Sequence, residues 1–234
     1  MARTFDGTAN GWADYTLSGF TTHPYGTAVA VVNIGAFVGT GAGSVLFLGT
    51  SGTADTEDTL NIYGPQKAPG YWNSTANVDA VGATVMTLNN WLLVAVSKAT
   101  GTVACRVHHY TWTTNTWVHE NTALTSADSA NVSAVAAVGG NQGTFAHTGQ
   151  IAAVAVFNKR VLTDSEIERM ACGRWNLWTP DLLVEYPSGR DFPAQTVAEH
   201  SRNRCVQSGV GSTVSRAAVA DPPGFKFSAL PRRR

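Results

Sequence analysis

The sequence predicts an all-β protein, a two-sheet β-sandwich or jelly roll carrying one short helix towards its C-terminal side. Three observations predict it. Apolar, β-branched runs recur at intervals of roughly ten residues between Gly-rich turns. Helical periodicity is nearly absent. The exception is the stretch Gly149 to Gly173, GQIAAVAVFNKRVLTDSEIERMACG, which reads as a buried strand, a tight basic turn and one punctuated helix. At 234 residues the chain can bury a full core.

The first strand signal is Phe5-Asp6-Gly7. Ala28 to Val38 is a β-branched run bounded by Gly, Thr and Pro, the pattern of a central buried strand. Ser44 to Gly49 is a second such run, entered through Gly39, Gly41 and Gly43, and weaker signals cover Thr59 to Tyr63 and Gly70 to Asn73. Trp91 to Ser97 is strong. From Thr102 to Trp112 the residues alternate: Val103, Cys105 and Val107 on one face, Arg106, His108, Tyr110 and Trp112 on the other. Thr113 to Thr116 then turn the chain, and Trp117 starts the return strand of a hairpin with an aromatic on each side of the turn. Val132 to Val138 and Ile151 to Phe157 complete the strong strands.

The helix follows Asn158, Lys159 and Arg160. Thr163 and Glu166 have capping-box spacing, Leu162 and Ile167 occupy the two positions of a hydrophobic staple, and Gly173 supplies the stop. Trp175 and Trp178 are expected to pack against it. Beyond a Pro-containing seam at Trp178 to Pro193, strand propensity is low, although Cys205 to Gly209 and Ser212 to Ala220 could pair at a sheet edge.

Charge is sparse. Charged residues make up 14% of the chain, with Lys+Arg and Asp+Glu at 16 each, so no basic surplus points to nucleic acid. A net charge near zero favours association, and a homo-oligomer or other protein partners are expected. Cys105, Cys172 and Cys205 are odd in number and lack a CxxC, which argues against a disulfide framework or structural zinc; Cys105 and Cys172 read as small buried hydrophobes. The N-terminus, MARTFDGTANGW, carries no apolar leader and no run of 18 apolar residues occurs, so neither secretion nor membrane insertion is expected and the protein should assemble in a cytoplasm.

Three pieces of this chain resemble laminin-G-like domains of the concanavalin-A-like jelly-roll superfamily. WLLVAVSKATGTV, Trp91 to Val103, is similar to the family's W-x-x-V-A-V strand. GQIAAVAVFNKRVLTDSEIERMACG resembles its closing strand and helix, and MARTFDGTANGWADY its early F-D-G strand. The resemblance implies a sandwich over residues 1–175. Leu183 to Pro187 and His200 to Gly209 look like a further family signature that normally precedes the F-D-G strand. Residues 176–234 are therefore expected to complete the sandwich in permuted order, or to complete a neighbour's. The terminal Arg232, Arg233 and Arg234 read either as a solvated end or as an arm docking on an acidic groove of another subunit.

Catalytic motifs are absent. Glycan-cleaving enzymes of this fold resemble one another in an E-x-D-x-x-E strand, and none of Glu57, Glu120, Glu166, Glu168, Glu185 and Glu199 forms it. There is no G-x-S-x-G elbow, P-loop or dinucleotide fingerprint. His108 and His109 point to opposite faces of one strand and cannot share a metal; each reads as a surface histidine. No cofactor is expected. The resemblance implies calcium on rim loops, for which Asp55, Glu57 and Asp58, and Asp128 with Asn131, are the candidates, without EF-hand spacing. Sugar binding needs aromatic platforms with amide or carboxylate neighbours; Tyr71, Trp72 and Asn73 in a Gly/Pro-flanked loop, and Trp112 and Trp117 at the hairpin, are the candidates. Isolated domains of this kind resemble minor tail and accessory proteins of tailed bacteriophages. The expected role is thus non-enzymatic: a structural protein on the virion exterior, recognising a host-surface glycan or decorating the particle. A free lectin-like adhesin is the alternative.

Overall fold

A computed structural model of the chain describes residues 3–8, 11–23, 25–39, 41–50, 57–73, 78–99, 104–124, 130–140 and 145–172, together with the backbone of three later strands. Two antiparallel sheets stack face to face. Sheet A contains β1 (Arg3–Asp6), β3 (Gly26–Ala36), β8 (Trp91–Lys98), β9 (Ala104–Thr111), β10 (Thr116–Ala123), β12 (Thr148–Asn158), β13 (Leu182–Glu185) and β15 (Ser215–Arg216). Their order is β10-β9-β8-β3-β12-β1-β15, with β13 also on β12. Sheet B contains β2 (Ala13–Thr22), β4 (Ala42–Gly49), β5 (Glu57–Tyr63), β6 (Ala68–Asn73), β7 (Val78–Val81), β11 (Asn131–Val138) and β14 (Cys205–Val210), in the order β14-β2-β11-β4-β5-β6-β7. This is the all-β, two-sheet jelly-roll sandwich that the sequence predicts.

Period-two alternation sorts the side chains into two cores. Between the sheets lie Phe5, Tyr15, Leu17, Leu46, Leu60, Val94 and Val154, among others. On the outer face of sheet A, Val29, Val31, Leu93, Ala155 and Phe157 form a second apolar layer, roofed by α1 (Asp164–Ala171) through Leu162, Ile167 and Met170. Strands β3, β8 and β12 are thus buried on both sides, which is why their sequences read as continuous apolar runs. An eight-residue helix is too short to persist alone. Its caps and this buried face hold it. Thr163 Oγ1 accepts from the Glu166 amide (3.3 Å) and Glu166 Oε2 accepts from the Thr163 amide (2.8 Å). Leu162 and Ile167, 2% and 0% exposed, close the staple.

Two strands are additional to those the sequence signals. β2 is masked in sequence by Gly19 and by its outward polar residues Asp14 and Thr16, yet Ala13, Tyr15 and Leu17 all point inward. β7 has only four residues. Two further expectations are corrected. Cys105 is buried, but Cys172 is the exposed helix C-cap, because the last turn rotates it off the apolar face. His108 and His109 are 0% and 4% exposed, because both faces of β9 are covered. Gly173, Trp175 and Trp178 lie outside the described residues. The chain after α1 contributes backbone pairings: β13 runs along Val154–Val156 of β12, beyond the stretch taken by β1, and β14 runs along β2. No helix among the described residues is long and apolar enough to cross a membrane.

Phe5 packs at the end of the main core beside Gly139 and His147. Gly139 has φ +84°, and a Cβ there would lie 2.1 Å from the Phe5 ring, so this position requires glycine. The His147 ring meets Phe5 edge-on at 6.4 Å and is 1% exposed. Burial pushes its pKa down from 6.5 to about 4. The folded protein keeps this imidazole neutral, whereas the unfolded chain takes up a proton below 6.5. Stability is therefore complete above pH 6.5 and falls as pH drops towards 4, by roughly 3 kcal/mol from this group. Urea midpoints at pH 7 and pH 4.5 should show the fall, and His147→Asn should make it shallower, the buried His108 still contributing its share; an equal slope in the variant would refute the assignment.

Candidate functional site

Three places bring functional groups together. The first is a polar knot inside the sandwich where β5, β6, β8 and β11 approach. Asp58 is 3% exposed. Its Oδ1 accepts a short hydrogen bond from Tyr71 Oη and another from Asn73 Nδ2 (2.7 Å), and its Oδ2 accepts from Asn131 Nδ2 (3.1 Å). Lys98 Nζ donates to Tyr71 Oη (2.6 Å), lies 3.9 Å from Asp58 Oδ1 and sits 3.9 Å from the Tyr71 ring centroid. The charge beside Asp58 is thus an ammonium supplied by the chain. Asp58, Tyr71, Lys98, His23 and Phe157 also border a cavity of about 30 Å³.

This corrects two expectations. Tyr71-Trp72-Asn73 is a strand, not a loop; alternation turns Tyr71 and Asn73 inward, to 4% and 0% exposure, and only Trp72 outward. Glu57 and Asp58 likewise begin β5 and do not form an open acidic loop. Asp55, Asp128, the Glu57 side chain and Arg232, Arg233 and Arg234 lie outside the described residues.

The second place is the outer face of sheet B. Register aligns Asp14, Ala137, Phe47, Thr59, Trp72 and Asp79 in one row across six strands. Asp14, Phe47 and Thr59 are buried, whereas Trp72 and Asp79 at the β6–β7 end are partly exposed. Thr59 Oγ1 accepts from Asn61 Nδ2 (2.7 Å) on the same face. The row thus ends in an accessible indole with a carboxylate directly opposite it.

The third place is the junction between α1 and the β9–β10 hairpin. Trp117 stacks on its cross-strand partner Tyr110 (centroids 4.4 Å) and lies parallel to His119 (5.2 Å, 8°). Trp112 meets Tyr110 edge-on (5.3 Å), and its indole N–H donates to the Ala171 carbonyl (3.3 Å). Both tryptophans are packed against the second core and engaged by neighbours within the chain. Beside them the register sets His119 opposite His108, with 2.8 Å between the two Nδ1 atoms. Asp164, the first helical residue, brings Oδ1 to 3.8 Å from His108 Nδ1 and 3.7 Å from His119 Nδ1. Arg106 grips the Asp164 carboxylate with Nε (2.7 Å) and Nη2 (2.5 Å), while Glu168 Oε1 lies 3.2 Å from His119 Nε2. Burial, aided by the neighbouring His119, drives the His108 pKa down to about 3. The hydrogen bond from Arg106 holds that of Asp164 below its usual range.

Sequence reasoning reached His108 and missed its partner. It weighed His109, the next residue, when the informative neighbour was across the strand. Counting back in register from the predicted turn would have paired His108 with His119.

Comparison with known proteins places the fold. A protein from Bacteroides ovatus named for carbohydrate binding superposes with a TM-score of 0.56 at 13% identity, over 97% of this chain and 61% of that one. Domain 4 of AbnA, an extracellular arabinanase of Geobacillus stearothermophilus, solved with arabinotriose, gives 0.53 at 15% identity, over 72% and 75%. A heptameric pentraxin from Limulus polyphemus gives 0.50 at 12% identity, over 71% and 79%. At these identities the likeness is one of fold. No protein-family model and no curated protein matches the sequence.

Proposed function

We propose that this chain is a non-catalytic recognition domain that binds a glycan, with a sugar ring stacking on Trp72 at the outer face of sheet B. The observation that carries the reading is the accessible end of the cross-strand row. There a partly exposed indole stands opposite Asp79, with Thr59 on its other side. A sugar's apolar face suits an aromatic platform, and its hydroxyls suit a carboxylate at the platform's edge. Fold-level likeness to a domain solved with arabinotriose supports the reading by analogy. Trp112, whose indole N–H donates to the Ala171 carbonyl, and Trp117, stacked on Tyr110, serve the packing of the hairpin.

The setting we propose is the exterior of a tailed bacteriophage, as a tail-associated protein meeting the host surface. It rests on the sequence resemblance and on the neutral, low-charge composition. Tail-protein genes beside its own would support that setting. The binding itself is tested on a glycan array. The intact chain should bind a defined glycan class. Trp72→Ala should lose the signal at an unchanged melting temperature, a loss of about 10-fold or more for one stacking aromatic at 1.4 kcal/mol per factor of ten. An array with no bound glycan, or a Trp72→Ala variant that binds equally, would refute it.

A further inference from the structure

We infer that His108, His119 and Asp164 form a binding site for a divalent transition-metal ion, of which Zn²⁺ is the natural probe. The site is independent of the glycan reading. It lies on the outer face of sheet A, on the opposite side of the sandwich from Trp72.

The donor set decides the class of ion. Two imidazole nitrogens and one carboxylate oxygen suit zinc and its borderline neighbours, and disfavour calcium and magnesium, which take oxygen. Geometry agrees. The three ligand atoms stand 2.8, 3.7 and 3.8 Å apart. Ligands at 2.0–2.1 Å around a tetrahedral zinc stand about 3.3 Å apart, so the three distances bracket the value required. A rearrangement of a few tenths of an ångström completes the triangle.

The arrangement also has the supports that a metal site needs. Glu168 Oε1 lies 3.2 Å from His119 Nε2. It therefore accepts from Nε2–H and leaves the Nδ1 lone pair facing Asp164 and His108, the carboxylate–histidine–metal arrangement. Arg106 fixes the Asp164 carboxylate through both oxygens. Trp117 lies parallel to the His119 ring and restrains its tilt. His108 is wholly buried, and its Nε2 has no hydrogen-bond partner among the described residues. Its ring is therefore committed to the Nδ1 side. Two Nδ1 atoms at 2.8 Å need something between them. Without metal it is one proton, held by one ring and accepted by the other. With metal that one proton moves to His108 Nε2, His119 keeping its own on Nε2, so there is no net proton change and the ion takes its place. His119 and Asp164, 15% and 37% exposed, open the fourth position to solvent. The ion would tie α1 to the β9–β10 hairpin, adding to the Arg106–Asp164 pair, the His119–Glu168 contact, Trp112 and apolar packing that already join them.

The test uses the untagged full chain. Zn²⁺ titration by calorimetry should show one equivalent bound and a rise in melting temperature. Co²⁺ should give the visible absorption of a four-coordinate nitrogen–oxygen site. His119→Gln should weaken binding by more than about 100-fold, and Glu168→Gln, which removes only a support, by about 10–100-fold. Absence of Co²⁺ absorption in the wild-type chain, or Zn²⁺ binding that His119→Gln leaves unchanged, would overturn the proposal and leave the pair as a simple histidine–histidine hydrogen bond. The Co²⁺ result stands whether or not a variant folds.

Discussion

Deleting residues 181–234 is expected to yield an insoluble chain. The deletion removes β13, β14 and β15 together. β14 lies along β2 from Leu17 to Ala13, and β13 lies along β12 from Val156 to Val154. Without them β2 becomes a free edge of sheet B, and β12 loses its second neighbour over Val154–Val156 while keeping β3. Residues 13–17 alternate with the buried Ala13, Tyr15 and Leu17, so the newly bared edge borders apolar side chains. A long unprotected edge of that kind templates pairing with other chains. Expression of residues 1–180 should therefore give inclusion bodies, or soluble aggregates on a sizing column. A soluble, monomeric truncation with a cooperative melt would show that the sandwich closes without this segment.

Lys98→Met is expected to be the most damaging single substitution, at about 3–5 kcal/mol. Methionine keeps the length and apolar stem of lysine and removes the ammonium. The Asp58 carboxylate would then remain buried without its positive neighbour, and Tyr71 Oη would lose a donor at 2.6 Å. A buried carboxylate stripped of its cation costs far more than the intact pair contributes. Urea denaturation should show a lower midpoint at an unchanged slope. Adding Asp58→Asn should restore part of the loss, because the buried carboxylate that Lys98 faces disappears; the two changes should be markedly non-additive. A Lys98→Met protein within about 0.5 kcal/mol of wild type would mean that the knot is solvated.

Legibility in the sequence tracked the distance over which a signal acts. The β12–α1 unit was readable because its determinants lie within a few residues: Thr163 with Glu166, Leu162 with Ile167. Strands β3 and β8 were readable because covering both faces makes the run continuously apolar. β2 was not, because Asp14 and Thr16 face outward and Gly19 interrupts it. At the candidate sites the same rule holds. Trp72 could be named from its residue type, but its inward neighbours Tyr71 and Asn73 could be separated from it only by knowing that the segment is a strand. The knot joins residues 58, 71, 73, 98 and 131, a set that no local pattern connects. The histidine pair was readable in principle through hairpin register. Asp164 was not, because the docking of α1 against that hairpin is a tertiary fact.

The most direct test of the central claim is to locate the ligand on the protein. In a ¹⁵N–¹H titration with the glycan selected on the array, the seven tryptophan indole signals give the readout. The account predicts that the Trp72 indole shifts most, together with the amides of Thr59 and Asp79, while Trp112 and Trp117 stay in place. Shifts centred on Trp112 and Trp117, with Trp72 unmoved, would contradict it.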